Sequence, residues 1–300
     1  MLIALFFTVN KWWDPDEIAG MARLVGTSVA ATLIFVMVSA AVYLVNDAMD
    51  VKRDRAHPVK RERPIASGVV PLQLAWTVGV VLFAAGIGLS FLLKWEFGAI
   101  VVAYVVTSQA YNLAFKNVVL LDVAVVATGF VLRAAAGSLA IDGFSFGSAD
   151  HLTVLELTIS PWLYVCTGSG ALFIALGKRR GELLGAGGRA GEQRPILAEY
   201  SIDFIDKLLA VVAPTALIAY ILYTFSGSFV ADVNLPNNNS MMLTIPFVAY
   251  GLFRYMYLIH QRGQGEQPDE LLVRDKPLAV TVLLWLATAA AVLMVNAGNG

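Results

Sequence analysis

The sequence predicts an all-α protein, a multispan transmembrane helical bundle of eight full spans preceded by a short apolar N-terminal stub. Three observations predict it. Hydrophobic residues make up 58% of the 300-residue chain against 14% charged, a balance far from that of a soluble domain. Eight apolar segments approach or exceed the ~20 residues that a helix needs to cross a bilayer. Lys and Arg gather in alternate connections between those segments, as in membrane proteins whose basic loops stay in the cytoplasm. The formal net charge of -1 conceals this segregation.

The first residues, MLIALFFTVN, are too short to span and lack the basic start and small-residue cleavage site of a signal peptide. Apolar runs follow at about 20–45, 72–93, 97–115, 119–141, 152–177, 208–229, 241–260 and 278–295. The first connection holds Lys52, Arg53, Arg55, Lys60, Arg61 and Arg63, and another holds Lys178, Arg179, Arg180, Arg189, Arg194 and Lys207. Lys116 and the trio Arg262, Arg274 and Lys276 lie in the other two connections of that side. On the opposite side, 142–151 and 230–240 contain no Lys or Arg, and 94–96 has only Lys94. Cytoplasmic loops are therefore expected at about 46–71, 116–118, 178–207 and 261–277, within a single integral-membrane domain over 1–300. The lone cysteine, Cys166, lies in an apolar run, makes no internal disulfide and is expected to be a buried structural thiol. A Cys-based metal site is excluded.

The most polar stretch runs from Asn46 to Gly68, NDAMDVKRDRAHPVKRERPIASG. Asn46, Asp50 and Asp54 recur every fourth residue and His57 follows three later, so a helix continuing from the preceding span projects them from one face. Acidic and amide side chains beside an apolar phase need compensation, and an oxygen-rich set suits a hard cation such as Mg2+. The cations that follow fit a metal-bridged phosphate or diphosphate. A juxtamembrane loop that only fixes topology would need Lys and Arg but no carboxylates at helical spacing.

Inside the spans the ionisable residues carry the information. Arg133 lies eleven residues after Asp122, roughly 16 Å along a helix and near mid-membrane. It either pairs with another helix, for which Glu156 is the candidate, or meets substrate. Asp122 sits where a carboxylate favours a helix dipole, and Ala134 to Gly137 would allow close helix packing. The second basic stretch opens with GKRRGEL, where Lys178 and Glu182 are one turn apart beside Arg179. These form either an ion pair on a snorkelling helix end or a substrate contact. Residues 185–193 read as a loop, and 261–276 as a lid or a connector.

These residues resemble the UbiA superfamily of intramembrane prenyltransferases. The first signature of that family, N-D-x-x-D-x-x-x-D, is matched by Asn46, Asp47, Asp50 and Asp54. HPVKRERPIASG, the LDV at Asp122, LRAAAG at Arg133, GKRRGEL, RYMYLIH and LLVRDKPL are similar to one branch, the decaprenyl-phosphate phosphoribosyltransferases and their relatives. The resemblance implies nine spans around a cavity open to the cytoplasm, with Mg2+ joining the acidic motif to a donor diphosphate. Two departures from the wider family stand out. Aromatic prenyltransferases have a second aspartate-rich motif where this chain has Lys178, Arg179 and Glu182, and cations there suit additional phosphate groups. Family members also have a fuller, basic, Trp-containing entry to the first span, so a start assigned too far downstream is expected rather than a bundle lacking half a helix.

The resemblance implies a Mg2+-dependent transfer of 5-phosphoribosyl from phosphoribosyl diphosphate to a polyprenyl phosphate, releasing diphosphate at the cytoplasmic face of the cell membrane. Asn46, Asp50 and Asp54 are the expected metal-binding and catalytic set, with Asp47 a weaker candidate. His57, Lys60 and Arg63 are expected on donor phosphates, and Lys178, Arg179 and Glu182 on the other side of the cavity. The alternatives are prenyl transfer from a polyprenyl diphosphate to an aromatic acceptor and, outside enzymes, a lipid transporter or scaffold. Against a transporter stand a polar cluster on one face only and no clear inverted repeat. No nucleic-acid partner is expected.

Overall fold

The computed structural model describes residues 2–7, 18–56, 60–148, 151–155, 160–186, 195–228 and 235–296. The short helix α1, Ile3–Phe7, tucks Ala4 into a core cluster with Leu24, Ile141 and Leu293. Helix α2, Ile18–Ala56, then runs for 39 residues without a proline and stops short of Pro58. At 1.5 Å per residue it is about 58 Å long, nearly twice the ~30 Å hydrocarbon core of a bilayer. Its last turns therefore stand clear of the apolar layer, and they carry Asn46 to Asp54 as the spacing predicts.

Helix α3, Leu72–Leu93, returns along α2 at very close range. A Cβ at Gly86 would lie 2.5 Å from the Val38 side chain, so only glycine permits this approach. Helices α4, Trp95–Leu113, and α5, Leu121–Ile141, follow as expected. The next segment differs from the sequence reading: 152–177 is not one span. Phe144–Ser148 (β1) and His151–Leu155 (β2) form an antiparallel hairpin pairing Phe144 with Leu155, and helix α6 covers Pro161–Ala186. The β-branched Thr153 and Val154 favour extended backbone and pair with Phe146 and Ser145, and Pro161 opens the helix where its missing N–H costs nothing. At its other end α6 continues through GKRRGELLGA, so the second basic motif is helical rather than part of a loop.

Helix α7, Ile202–Phe225, begins under a Ser201 cap that accepts from the Phe204 amide. Helix α8 spans Ile245–Gln261, α9 Pro268–Arg274 and α10 Lys276–Val295. The third basic connection thus contains a short helix. It is fastened at its far end by Asp275, which caps α10 through the Leu278 amide and takes a two-point ion pair from Arg254 at 2.7 and 3.1 Å.

Six of these helices are long and apolar enough to cross a membrane by length and composition. The other two long ones, α4 and α6, carry Glu96, Gln109 and Asn112, and Lys178, Arg179, Arg180 and Glu182. Consecutive helices are neighbours from α2 to α8, with α10 against α8 and α2 also touching α4 and α5. Leu33, Leu92 and Leu283, each more than 60% exposed, face the surroundings as lipid-facing residues do. The chain is a multi-pass helical membrane protein.

Candidate active site

The site begins with the C-terminal turns of α2. Carboxylates at a helix C-terminus face the negative end of its dipole, which disfavours them unless cations are close. Here three cations do that. After the 3-10 turn at Lys60–Glu62 the chain folds back, pinned by the Arg55 guanidinium donating to the Ala66 carbonyl at 3.0 Å. Arg63 Nη1 then lies 2.8 Å from Asp47 Oδ1 and 3.0 Å from Asp54 Oδ2, with Asp54 only 2% exposed. Lys116, from the turn between α4 and α5, reaches Asp50 at 3.4 Å, and Arg53 lies 3.7 Å from its other oxygen.

Counting by fours hides part of this arrangement. Four residues advance about 40° beyond a full turn, so Asn46 and Asp54 are separated by about 80° around the helix, whereas Asp47 and Asp54, seven apart, differ by about 20°. Asp47 is thus the natural partner of Asp54, Asp50 turns toward Lys116 in the turn between α4 and α5, and Asn46 faces a cavity deeper in the bundle. His57 lies outside the described residues. Lys60 opens the 3-10 turn beside the cluster.

The donor set of Asn46, Asp47, Asp50 and Asp54 consists of oxygens, which suits Mg2+. Among the described residues no three His, Cys, Asp or Glu side chains are already gathered as a metal cluster. Arg63 and Lys116 instead supply the positive charge that a divalent ion would bring.

Below Asn46 a cavity of about 170 Å³ opens between α2, α4 and α5. Tyr43, Tyr104, Thr107, Ser108, Tyr111 and Asn112 give it hydroxyl and amide groups, and Arg133 stands at its far end. The Ser39 hydroxyl lies 3.3 Å from that of Tyr104. Nearer the surface, Arg53, Asn117, Ile196 and Glu199 border a second cleft, of about 420 Å³.

The second basic motif separates into three different environments. Lys178 is exposed. Arg179 is buried and donates from Nε to Asp122 Oδ2 at 2.8 Å and from Nη1 to Glu182 Oε2 at 2.5 Å. Arg180 is also buried, donating to Asp206 at 2.7 Å and to the Ile259 carbonyl at 2.7 Å. Tyr200 completes the network: its hydroxyl donates to Asp122 Oδ1 at 2.6 Å and accepts from the Leu120 amide at 2.8 Å. That amide belongs to a residue with φ of 66°, a conformation unfavourable for leucine and fixed here by the bond. Burial first, and then the Asp122 hydrogen bond, push the Tyr200 hydroxyl up to about 12.

Asp122, Val126, Gly129 and Arg133 form one stripe along α5. Fastening Asp122 at the top of the helix therefore fixes the rotation that turns Arg133 toward the cavity. Asp122, Tyr200, Arg180 and Lys116 have structural parts that the sequence reading did not assign. An Asp within the apolar run LLDVAV was the available signal for the first; the partners of the others come from distant segments.

The family model described as the UbiA prenyltransferase family matches residues 2–273. The decaprenyl-phosphate phosphoribosyltransferase of Mycolicibacterium smegmatis is 29% identical over 263 residues, covering 87% of this chain and 78% of the relative. That of Corynebacterium glutamicum is 32% identical over 273 residues, covering 90% and 76%. Among solved structures, a UbiA homolog from Archaeoglobus fulgidus bound to GPP and Mg2+ superposes with a TM-score of 0.66 at 16% identity, covering 97% of this chain and 93% of that one. A UbiA homolog from Archaeoglobus fulgidus bound to Cd2+ gives a TM-score of 0.61 at 14% identity, covering 97% of this chain and 92% of that one.

Proposed function

The chain belongs to the UbiA prenyltransferase family, and from that premise we propose that it transfers 5-phosphoribosyl from phosphoribosyl diphosphate to a polyprenyl phosphate and releases diphosphate. The observation that carries this reading is the lining of the cavity beneath Asn46. Beside the apolar Val42, Val125 and Val126 it offers hydroxyls, amides and one guanidinium, groups that can hydrogen-bond a polyhydroxylated, phosphorylated sugar. The names of the relatives from Mycolicibacterium and Corynebacterium support the same donor and acceptor classes.

The acceptor phosphate is already an anionic nucleophile, so no covalent enzyme intermediate is required. The work left to the protein is to align that oxygen behind the anomeric carbon and to stabilise the departing diphosphate. Asn46, Asp50 and Asp54, with Asp47, would hold Mg2+, which when bound offsets the charge of the leaving group. Arg63 and Lys116, now paired with the carboxylates, are within reach of the same diphosphate, with Lys60 and His57 on the adjoining segment. Arg179 acts through Asp122, holding α5 in place, and Glu182 orients Arg179. Lys178, pointing away from this network, is suited to the membrane surface or to an incoming headgroup. The excess of Lys and Arg in the connections at this end supports a cytoplasmic orientation for the acidic end of the cavity.

The test is to incubate membranes containing the protein with labelled phosphoribosyl diphosphate, polyprenyl phosphate and Mg2+, with and without chelator, and to extract the lipid. Chelator-sensitive label in the lipid phase is expected. No label from correctly inserted protein, together with prenyl transfer from a polyprenyl diphosphate to an aromatic acceptor, would overturn the reading.

A further inference from the structure

Arg133 is an arginine deep in an apolar helix, where an ionisable side chain is costly unless it is matched. Its Nε donates to the Gly129 carbonyl at 3.1 Å, and its guanidinium carbon lies 4.2 Å from the Phe130 ring centroid and 5.8 Å from that of Tyr104. These contacts hold the group in place without cancelling its charge. Among the described residues no carboxylate pairs with it and its two terminal nitrogens have no hydrogen-bond partner. Glu156, the partner that the sequence suggested, lies outside the described residues.

Arg133 borders two spaces. One is the cavity that Asn46 also lines; the other is a space of about 380 Å³ bordered by Thr32, Phe35, Val36 and Ser39. Ser39 and Asn46 are seven residues apart on α2, about 10 Å along its axis. Arg133 packs on Tyr104, whose hydroxyl meets Ser39, and lines the same cavity as Asn46, so its level on α2 is offset from the acidic motif by an axial spacing on the scale of a pentose with a phosphate at each end.

We infer that Arg133 anchors a phosphate monoester, the 5-phosphate of the pentosyl donor, and so selects a phosphorylated sugar over an unphosphorylated one. The inference rests on the proposed phosphoribosyl transfer and adds which residue reads the donor's far end. Guanidinium presents paired N–H groups that match a phosphate bidentately, and it stays charged at any working pH. The chemistry also separates the donor's phosphates. The leaving diphosphate and the attacking acceptor phosphate must both flank the anomeric carbon, so both belong at the Asn46 end. The 5-phosphate is the group left for the opposite end.

The test uses the full chain in detergent micelles with three probes: ribose 5-phosphate, magnesium diphosphate and farnesyl phosphate as a short acceptor. Calorimetric titration compares wild type with Arg133→Gln and Arg133→Lys. Arg133→Gln is expected to weaken ribose 5-phosphate by about tenfold or more while magnesium diphosphate changes by less than about threefold, with Arg133→Lys between them. The KM for phosphoribosyl diphosphate should rise with the same ranking. Unchanged ribose 5-phosphate affinity in Arg133→Gln, or selective loss of farnesyl phosphate, would overturn the assignment while leaving the transfer reaction standing. A wild type that binds neither ribose 5-phosphate nor phosphoribosyl diphosphate but turns over a prenyl diphosphate would overturn the donor reading itself.

Discussion

Arg179 Nε donates to Asp122 Oδ2 at 2.8 Å, with the Asp122 side chain fully buried and that of Arg179 only 6% exposed. The pair joins α6 to the first turn of α5 and thereby sets the rotation of the helix that bears Arg133. A buried charge deprived of its partner is costly, and Asp122→Ala or Arg179→Met is expected to destabilise the protein by about 3–5 kcal/mol. The double variant should recover a substantial part of that loss, since neither charge is then stranded. Unfolding midpoints in detergent for the four members of the cycle check this. Strictly additive losses would show that the two side chains act separately.

Tyr200 supports the same carboxylate from the opposite side. Burial and its bond to Asp122 raise its hydroxyl from 10 to about 12, so the folded state holds that proton more tightly than the unfolded chain. The stabilisation from this raised value is fully present below pH 10 and is lost as pH climbs through about 12. Tyr200→Phe should remove this part of the alkaline decline. At neutral pH it should cost about 1–3 kcal/mol, because the Leu120 amide and Asp122 each lose a bond. Thermal unfolding of both proteins across the alkaline range measures the two effects, and matching alkaline profiles would refute the linkage.

The acidic turns of α2 give a metal-dependence prediction. Asp50→Ala and Asp54→Ala are expected to reduce turnover by about 100-fold or more without changing membrane insertion, because they remove proposed ligands of the Mg2+ that would offset the charge of the leaving group. Asp47→Asn should behave like the Asp54 variant in its Mg2+ requirement, since both carboxylates share Arg63. Turnover as a function of free Mg2+, with insertion followed by protease protection, supplies the check. Wild-type turnover in both alanine variants would sink the metal assignment.

The role of Asp47 illustrates where the sequence is readable. That a helix carries the apolar run of α2 into its polar end follows from an uninterrupted sequence without proline. Which carboxylates meet does not follow from spacing of four alone, because the 3.6-residue period turns Asp54 toward Asp47 and away from Asn46. The hairpin at 144–155 was hidden because a short apolar run has no intrinsic period that separates a strand from the start of a span. Lys178, Arg179 and Arg180 are adjacent in sequence, yet successive helical positions point about 100° apart, and the partners Asp122 and Asp206 come from helices that no local pattern identifies. Arg133 was legible as an exception in its helix; that its surroundings are hydroxyl-rich required three helices to be brought together.

The connection between α8 and α9, read from sequence as a lid or a connector, is seated directly on α6. A Cβ at Gly181 would fall 2.3 Å from the Glu266 amide nitrogen and 2.5 Å from the Gly265 carbonyl carbon, and neither is a flexible side-chain tip that can turn aside. Gly181→Ala is therefore expected to lift the connection and destabilise the protein by about 1–3 kcal/mol through overpacking. Gly26→Ala is the matched control, because no atom lies within 4 Å of its added carbon and alanine favours the helix. Trypsin should cut after Arg262 faster in the Gly181 variant than in the control or wild type. A substrate lid that opens in each cycle would not tolerate so close a backbone seat, so unchanged proteolysis and stability in Gly181→Ala would restore the lid reading. Faster cleavage with a lowered unfolding midpoint would identify the segment as a fixed connector that braces the C-terminal end of α6.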